Sequence, residues 1–183
     1  NGGNLIWDKE KDGLQLNTEF VLIMEDSVLE IGTEDEPFNK TAEIIMHGHT
    51  RCTELPIYGC KVIGVRKGAL ELHGRPISNT WTHMTVTADA GATNITVELD
   101  VSDWRAGDEI VIASTNHRHS MAENEKHTIL SIDSDGKTIQ LSDPLKYKHL
   151  SLEQTFGTHT IQTRAEVGLL TRNIKIQGSQ KWV

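Results

Sequence analysis

The sequence predicts an all-β fold and, within that class, a right-handed parallel β-helix (a solenoid) with hairpin loops. Three observations lead there. Short β-branched or alternating runs recur along the chain, and turn residues separate them. Near the C-terminus, Val167-Gly168-Leu169-Leu170 and Ile174-Lys175-Ile176-Gln177 flank a corner at Asn173. Asparagine tolerates the left-handed bend of such a corner and bonds its own backbone. A β-sandwich, with alternation and a polar outer face, is the alternative.

The runs fall at 4–7, 20–24, 28–31, 43–47, 60–65 and 69–73, then at 82–87, 95–99, 109–113, 127–133, 138–141, 159–163, 167–170 and 174–177. Each has the usual strand length of about 4–7 residues. Asp12-Gly13, Ala90-Gly91, Ala106-Gly107 and Asp135-Gly136 supply the positive-φ positions that tight turns need. Asp135-Gly136 joins 129–132 to 138–141 and is the clearest hairpin. Helix-forming composition occurs only at 120–126, about two turns at most. No linker or low-complexity segment interrupts the chain, so 1–183 reads as a single domain. The last strand, near Ile174 and Ile176, is expected to lack its next neighbour and to be stabilised by repeats that follow it.

Composition excludes several classes. Lys and Arg number 18 against 26 Asp and Glu, a formal net charge of -8. A nucleic-acid binder needs a basic face to displace counterions, and Lys146-Tyr147-Lys148-His149 is too small to supply one. The longest apolar run, Phe20-Val21-Leu22-Ile23-Met24, is far short of the roughly 18 residues of a membrane span, so no direct membrane insertion is expected. The chain opens at Asn1-Gly2-Gly3 without an initiator methionine and is read as a segment of a longer protein. Asn39-Lys40-Thr41 and Asn94-Ile95-Thr96 are glycosylation sequons, and the two cysteines, Cys52 and Cys60, lack the C-x-x-C spacing of zinc or thioredoxin sites.

Longer motifs are more specific. They are Tyr58-Gly59-Cys60-Lys61-Val62-Ile63-Gly64-Val65, then Gly68-Ala69-Leu70-Glu71-Leu72-His73-Gly74, then Trp81-Thr82. Asp103-Trp104-Arg105-Ala106-Gly107-Asp108-Glu109-Ile110-Val111-Ile112-Ala113-Ser114-Thr115, Pro144-Leu145-Lys146-Tyr147-Lys148-His149 and Ala165-Glu166-Val167-Gly168-Leu169-Leu170-Thr171-Arg172-Asn173-Ile174 follow in order. Together they resemble the eight-glycine domain of the fibrocystin family, which also occurs in cell-surface hyaluronan-degrading proteins. The motif core spans 58–178, and the first fifty residues fit more loosely. Ala69 departs from the family pattern, where a small hydroxyl residue is usual. The hyaluronan-degrading branch carries a long insert after the motif matching Trp81-Thr82, and this chain reaches Asp103-Trp104 without one. The resemblance therefore implies the other branch: a large single-pass, receptor-like or coat protein of the cell surface, ciliary or stereociliary surfaces included. Its implied partners are an extracellular protein or glycan and the β-helix repeats downstream in the same chain.

On this extracellular reading, Cys52 and Cys60 flank Pro56 in a loop and are expected to form a disulfide. Closing that loop contributes about 2.5 kcal/mol on the chain-entropy model. Asn39 and Asn94 are expected glycan sites. Trp81 and Trp104 sit beside turn signals and read as buried anchors, with a sugar-stacking platform as the alternative. Gly107 turns the chain, and Asp108 bonds the turn amides. His73, in the Leu-His-Gly motif with Gly74, reads as a core histidine bonding a nearby turn. Gly168 and Asn173 belong to the C-terminal corner. His117 and His119, like His47 and His49, are two apart, yet a metal also needs a third ligand and a second shell. No metal, cofactor or catalytic residue is assigned. The expected function is a non-catalytic extracellular module; the rival is part of a hyaluronan-binding or hyaluronan-depolymerising hydrolase.

Overall fold

The computed structural model describes residues 3–49, 51–117 and 119–179. It is almost entirely β. The only helical element among the described residues is one 3-10 turn, Met121–Glu123. The helical composition at 120–126 therefore yields to a strand that begins at Glu125. So short a stretch cannot offset helix nucleation without tertiary support.

The chain divides into two compact units, 1–76 with 172–183, and 77–171. The first unit holds β1 (Leu5–Ile6), β2 (Leu14–Thr18), β3 (Phe20–Met24), β4 (Val28–Ile31), β5 (Ala42–Met46), β6 (Val62–Arg66) and β7 (Ala69–Leu72). The second holds β8 (Trp81–His83), β9 (Asn94–Thr96), β10 (Glu109–Ile112), β11 (Glu125–Ile132), β12 (Thr138–Leu141), β13 (Ser151–Phe156), β14 (His159–Arg164) and β15 (Glu166–Leu169). The chain then returns to the first unit as β16 (Ile174–Gly178).

In the first unit β2 and β16 flank β5, β3 pairs with β6, and β1 and β7 flank β4, all in parallel. Alternation selects the inward residues. Ala42, Ile44 and Met46 of β5 are buried, as are Leu29 and Ile31 of β4, and they pack with Trp7, Ile23 and Phe38. Asn173 ties this unit together. Its Nδ2 donates to Phe38 O and Lys40 O, at 2.6 and 2.8 Å, and its Oδ1 accepts from Arg75 N at 2.9 Å. Gly74 makes room for it, since a Cβ there would lie 2.6 Å from Asn173 Oδ1.

The second unit is built on a six-stranded sheet ordered β8-β15-β10-β11-β12-β9, antiparallel at every pairing. A register irregularity between Ile129 and Ser131 sharpens its bend. Its two edges meet through the Met84–Val97 bridge, so the sheet curls around its own core. Met84, Ile95, Val97, Trp104, Ile110, Ile112, Ile129, Ile139 and Val167 fill that core. The separate hairpin β13–β14 is exposed along almost its whole length.

The expected parallel β-helix is thereby corrected: the largest sheet is antiparallel, parallel pairing is confined to the first unit, and the alternative, the β-sandwich, fits. Short strands with turns arise in either architecture, and periodicity alone does not assign partners. The C-terminal corner shows the error locally. β15 joins the antiparallel sheet through β8 and β10, whereas β16 pairs with β5 in the other unit, so the two are not successive coils.

Candidate functional site

The polar centre of the second unit forms where β11 meets the loop after β12. Glu125 and His127 are two apart on β11, so they share the face that also carries buried Ile129. His149 is brought alongside by paired backbone bonds with Ala88, each 2.9 Å. All three side chains are buried. Glu125 Oε1 accepts from Tyr147 N at 2.8 Å and from His149 Nε2 at 3.1 Å. Its Oε2 accepts from Lys146 N at 2.8 Å and faces His127 Nε2 at 3.3 Å. His149 Nδ1 lies 2.9 Å from Ala113 O. Burial pushes the Glu125 carboxyl up, but the bonds from Lys146, Tyr147, His149 and His127 outweigh it and hold the group below its ordinary value. Above this cluster lies a cavity of about 520 Å³, lined among others by Asn124, Lys126, His127, Asp143, Lys146 and Tyr147.

Chemically, Glu125 is an anchor. A general base needs a raised proton affinity and a free lone pair aimed at a reacting group; here the affinity is lowered and both oxygens are engaged. Its work is to fix the amides of Lys146 and Tyr147 and hold the cavity wall in one shape. Sequence reasoning did not find this cluster. His149 ended a recognised motif without a role, and Glu125 lay in the stretch read as helix. The Glu-x-His spacing on a strand was the available signal, and it is too common to stand alone.

The other expected residues divide by place. Trp104 is buried, and its Nε1 donates to Asn79 O at 2.7 Å. Gly107 turns with φ of 90°, a conformation that favours glycine, and Asp108 Oδ2 accepts from Arg105 N at 2.9 Å. Trp81, read as a second buried anchor, is instead 54% exposed. It lies on an edge strand opposite Gly168, on the face away from the core. His73 is only half-buried and its Nε2 meets Glu71 Oε2 at 2.9 Å, not a turn amide. Cys52 and Cys60 form a disulfide, with Cα atoms 6.3 Å apart. Asn39 and Asn94 are exposed. His47 bonds Asn17, and the amide of His119 bonds His117 Nδ1. Among the described residues no group of three or more His, Cys, Asp or Glu could hold a metal. No helix among them is long and apolar enough to cross a membrane.

Comparison with known proteins agrees with the motif reading. The model of the G8 domain matches residues 1–85, a span that includes the first fifty residues. Fibrocystin-L of Mus musculus is 53% identical over 179 residues, and that of Homo sapiens 51%. Fibrocystin of Canis lupus familiaris is 35% identical over the same length. Each alignment covers 97% of this chain and 4% of the relative, so the chain spans a small fraction of the proteins it matches. Among solved structures, the Gp54 tailspike of Acinetobacter baumannii bacteriophage AP22, in complex with capsular saccharide, matches 90% of this chain and 23% of its own. Its TM-score of 0.37 and 12% identity are too low to carry a fold or a function. With half its residues identical to fibrocystin-L over nearly its whole length and the G8 model matching its first 85, this chain belongs to the fibrocystin family and carries its G8 domain.

Proposed function

We propose that this segment is a non-catalytic, extracellular recognition and structural module of a large receptor-like cell-surface protein. The observation that carries the reading is the state of Glu125: this buried carboxylate, beside two histidines, is consumed by internal hydrogen bonds and held in its weakly basic form. The Cys52–Cys60 disulfide suits an oxidising compartment. Exposed Asn39 and Asn94 suit N-glycosylation on secretion. Partners are an extracellular protein or glycan and the segments that follow in the same protein.

The test is incubation of the purified segment with long hyaluronan, with and without calcium, followed by sizing of the polymer. Unchanged length is expected. Dose-dependent shortening, lost in a folded Glu125→Gln or His127→Ala variant, would overturn the reading. Deglycosylation of material secreted from eukaryotic cells should lower its mass; no change would remove Asn39 and Asn94 as glycan sites.

A further inference from the structure

Gly168 is a glycine that the fold does not require. It sits in the middle of β15, in regular register with Trp81 on one side and Val111 on the other. Its φ is not positive. A Cβ built there would meet only Val111 Cγ1, at 3.5 Å, an ordinary contact. Glycine weakens a strand, and without a bulge it often marks close approach of a ligand or another backbone. The space it leaves is open, because no Trp81 atom lies within 4 Å of that Cβ position. The indole leans along its own strand instead, edge-on to His83 with ring centroids 5.0 Å apart.

The groups around the slot carry unused hydrogen-bonding capacity. His83 Nδ1 is 3.9 Å from Glu98 Oε2, and its Nε2 is 4.0 Å from Glu166 Oε1. Both distances are too long for hydrogen bonds and leave room for a bridging hydroxyl. Arg164 meets Glu98 Oε1 at 3.3 Å, and Lys126 is held by Glu109 at 2.7 Å.

We propose that Trp81, the Gly168 slot and the His83–Glu98–Glu166 group form a binding site for a neutral saccharide. The sugar ring packs its apolar C–H face on the exposed indole, its edge enters the slot, and its hydroxyls bridge His83 to the carboxylates. Glu98 and Glu166 repel uronic and sialic acids, so the occupant is an uncharged glycan. The proposal rests on the recognition reading above and gives it a ligand class.

The experiment uses the whole segment on an array of neutral, sialylated and uronic-acid glycans, followed by titration of the free oligosaccharide that binds best. Retention of neutral glycans and a change in tryptophan fluorescence are expected. Trp81→Ala and Gly168→Val should each weaken binding at least about tenfold. Gly168→Val fills the slot and sets a β-branched residue opposite an aromatic one, so its thermal stability should hold or rise. Retention of no neutral glycan, a preference for acidic glycans, or binding indifferent to both substitutions would overturn the site. If no neutral glycan is retained but another extracellular partner binds, and that binding survives Trp81→Ala, the recognition reading stands and only this site falls. Cleavage of hyaluronan would sink the non-catalytic reading and leave the Trp81 site standing.

Discussion

Glu125 shows how one side chain makes stability depend on pH. Its folded-state value lies below the ordinary carboxylate range, so the unfolded chain binds its proton more tightly. Its contribution is fully present above that range and is lost as pH falls through the folded value. Glu125→Gln should cost about 3 kcal/mol near neutral pH, because it removes the buried carboxylate that accepts from the amides of Lys146 and Tyr147. Chemical denaturation at several pH values should show this gap narrowing on the acid side; a constant gap would mean that the carboxylate charge contributes nothing. Asn173 acts by shape as well as bonding. Asn173→Ala removes three backbone contacts and should cost roughly 2–3 kcal/mol. Gly74→Ala alone forces its Cβ against Asn173 Oδ1. In the Asn173→Ala background it should cost measurably less, a coupling that a double-mutant cycle reads directly. The corner at Asn173 was legible in the sequence, but its partners were not. It bonds Phe38, Lys40 and Arg75, distant in sequence, where local reasoning expects it to bond its own backbone.

Among the elements, legibility followed turn chemistry. Asp135-Gly136 lies in the connection between β11 and β12 as read, with Asp135 accepting from Lys137 N and Thr138 N. Two strands were missed. β2, Leu-Gln-Leu-Asn-Thr, alternates over only two leucines, too short a pattern to mark a strand alone, and β13 is nearly all exposed and has no apolar alternation. β13 and β14 bring Leu152, Phe156 and Ile161 to one exposed face and Glu153, Gln162 and Arg164 to the other. Such a lone hairpin adds little to the core beneath it. Replacing 153–162 with a short glycine-rich turn should shift the midpoint of thermal unfolding by only a few degrees. A large drop would show that the hairpin is integral to the unit. The disulfide bounds another loop. Denatured, unreduced protein should show no free thiol, and the double Cys52→Ser, Cys60→Ser variant should lose about 2.5 kcal/mol, less any native strain. Two titratable thiols would refute the bond.

At the scale of the molecule, the all-β class was legible because strand length and turn spacing are local properties. Strand partnership was not. β8 reaches β15 across most of the second unit, and β5 waits for β16. Nor does composition change where the second unit starts or stops, at Ile77 and Thr171, since both units draw on the same strand-forming residues. Each unit has its own apolar cluster. Residues 77–171 alone should therefore unfold in one cooperative transition, visible by circular dichroism; a broad, non-cooperative melt would tie that unit's core to the rest. The bond from Arg75 N to Asn173 has a consequence for time. Its two residues are 98 positions apart, and closing a flexible loop of that length costs about 4 kcal/mol. If 77–171 collapses first, it shortens that loop before β16 seeks β5. The first unit should thus mature last, with β16 as its closing stitch, and a slow-folding substitution in the second unit's core should delay a probe placed on β5.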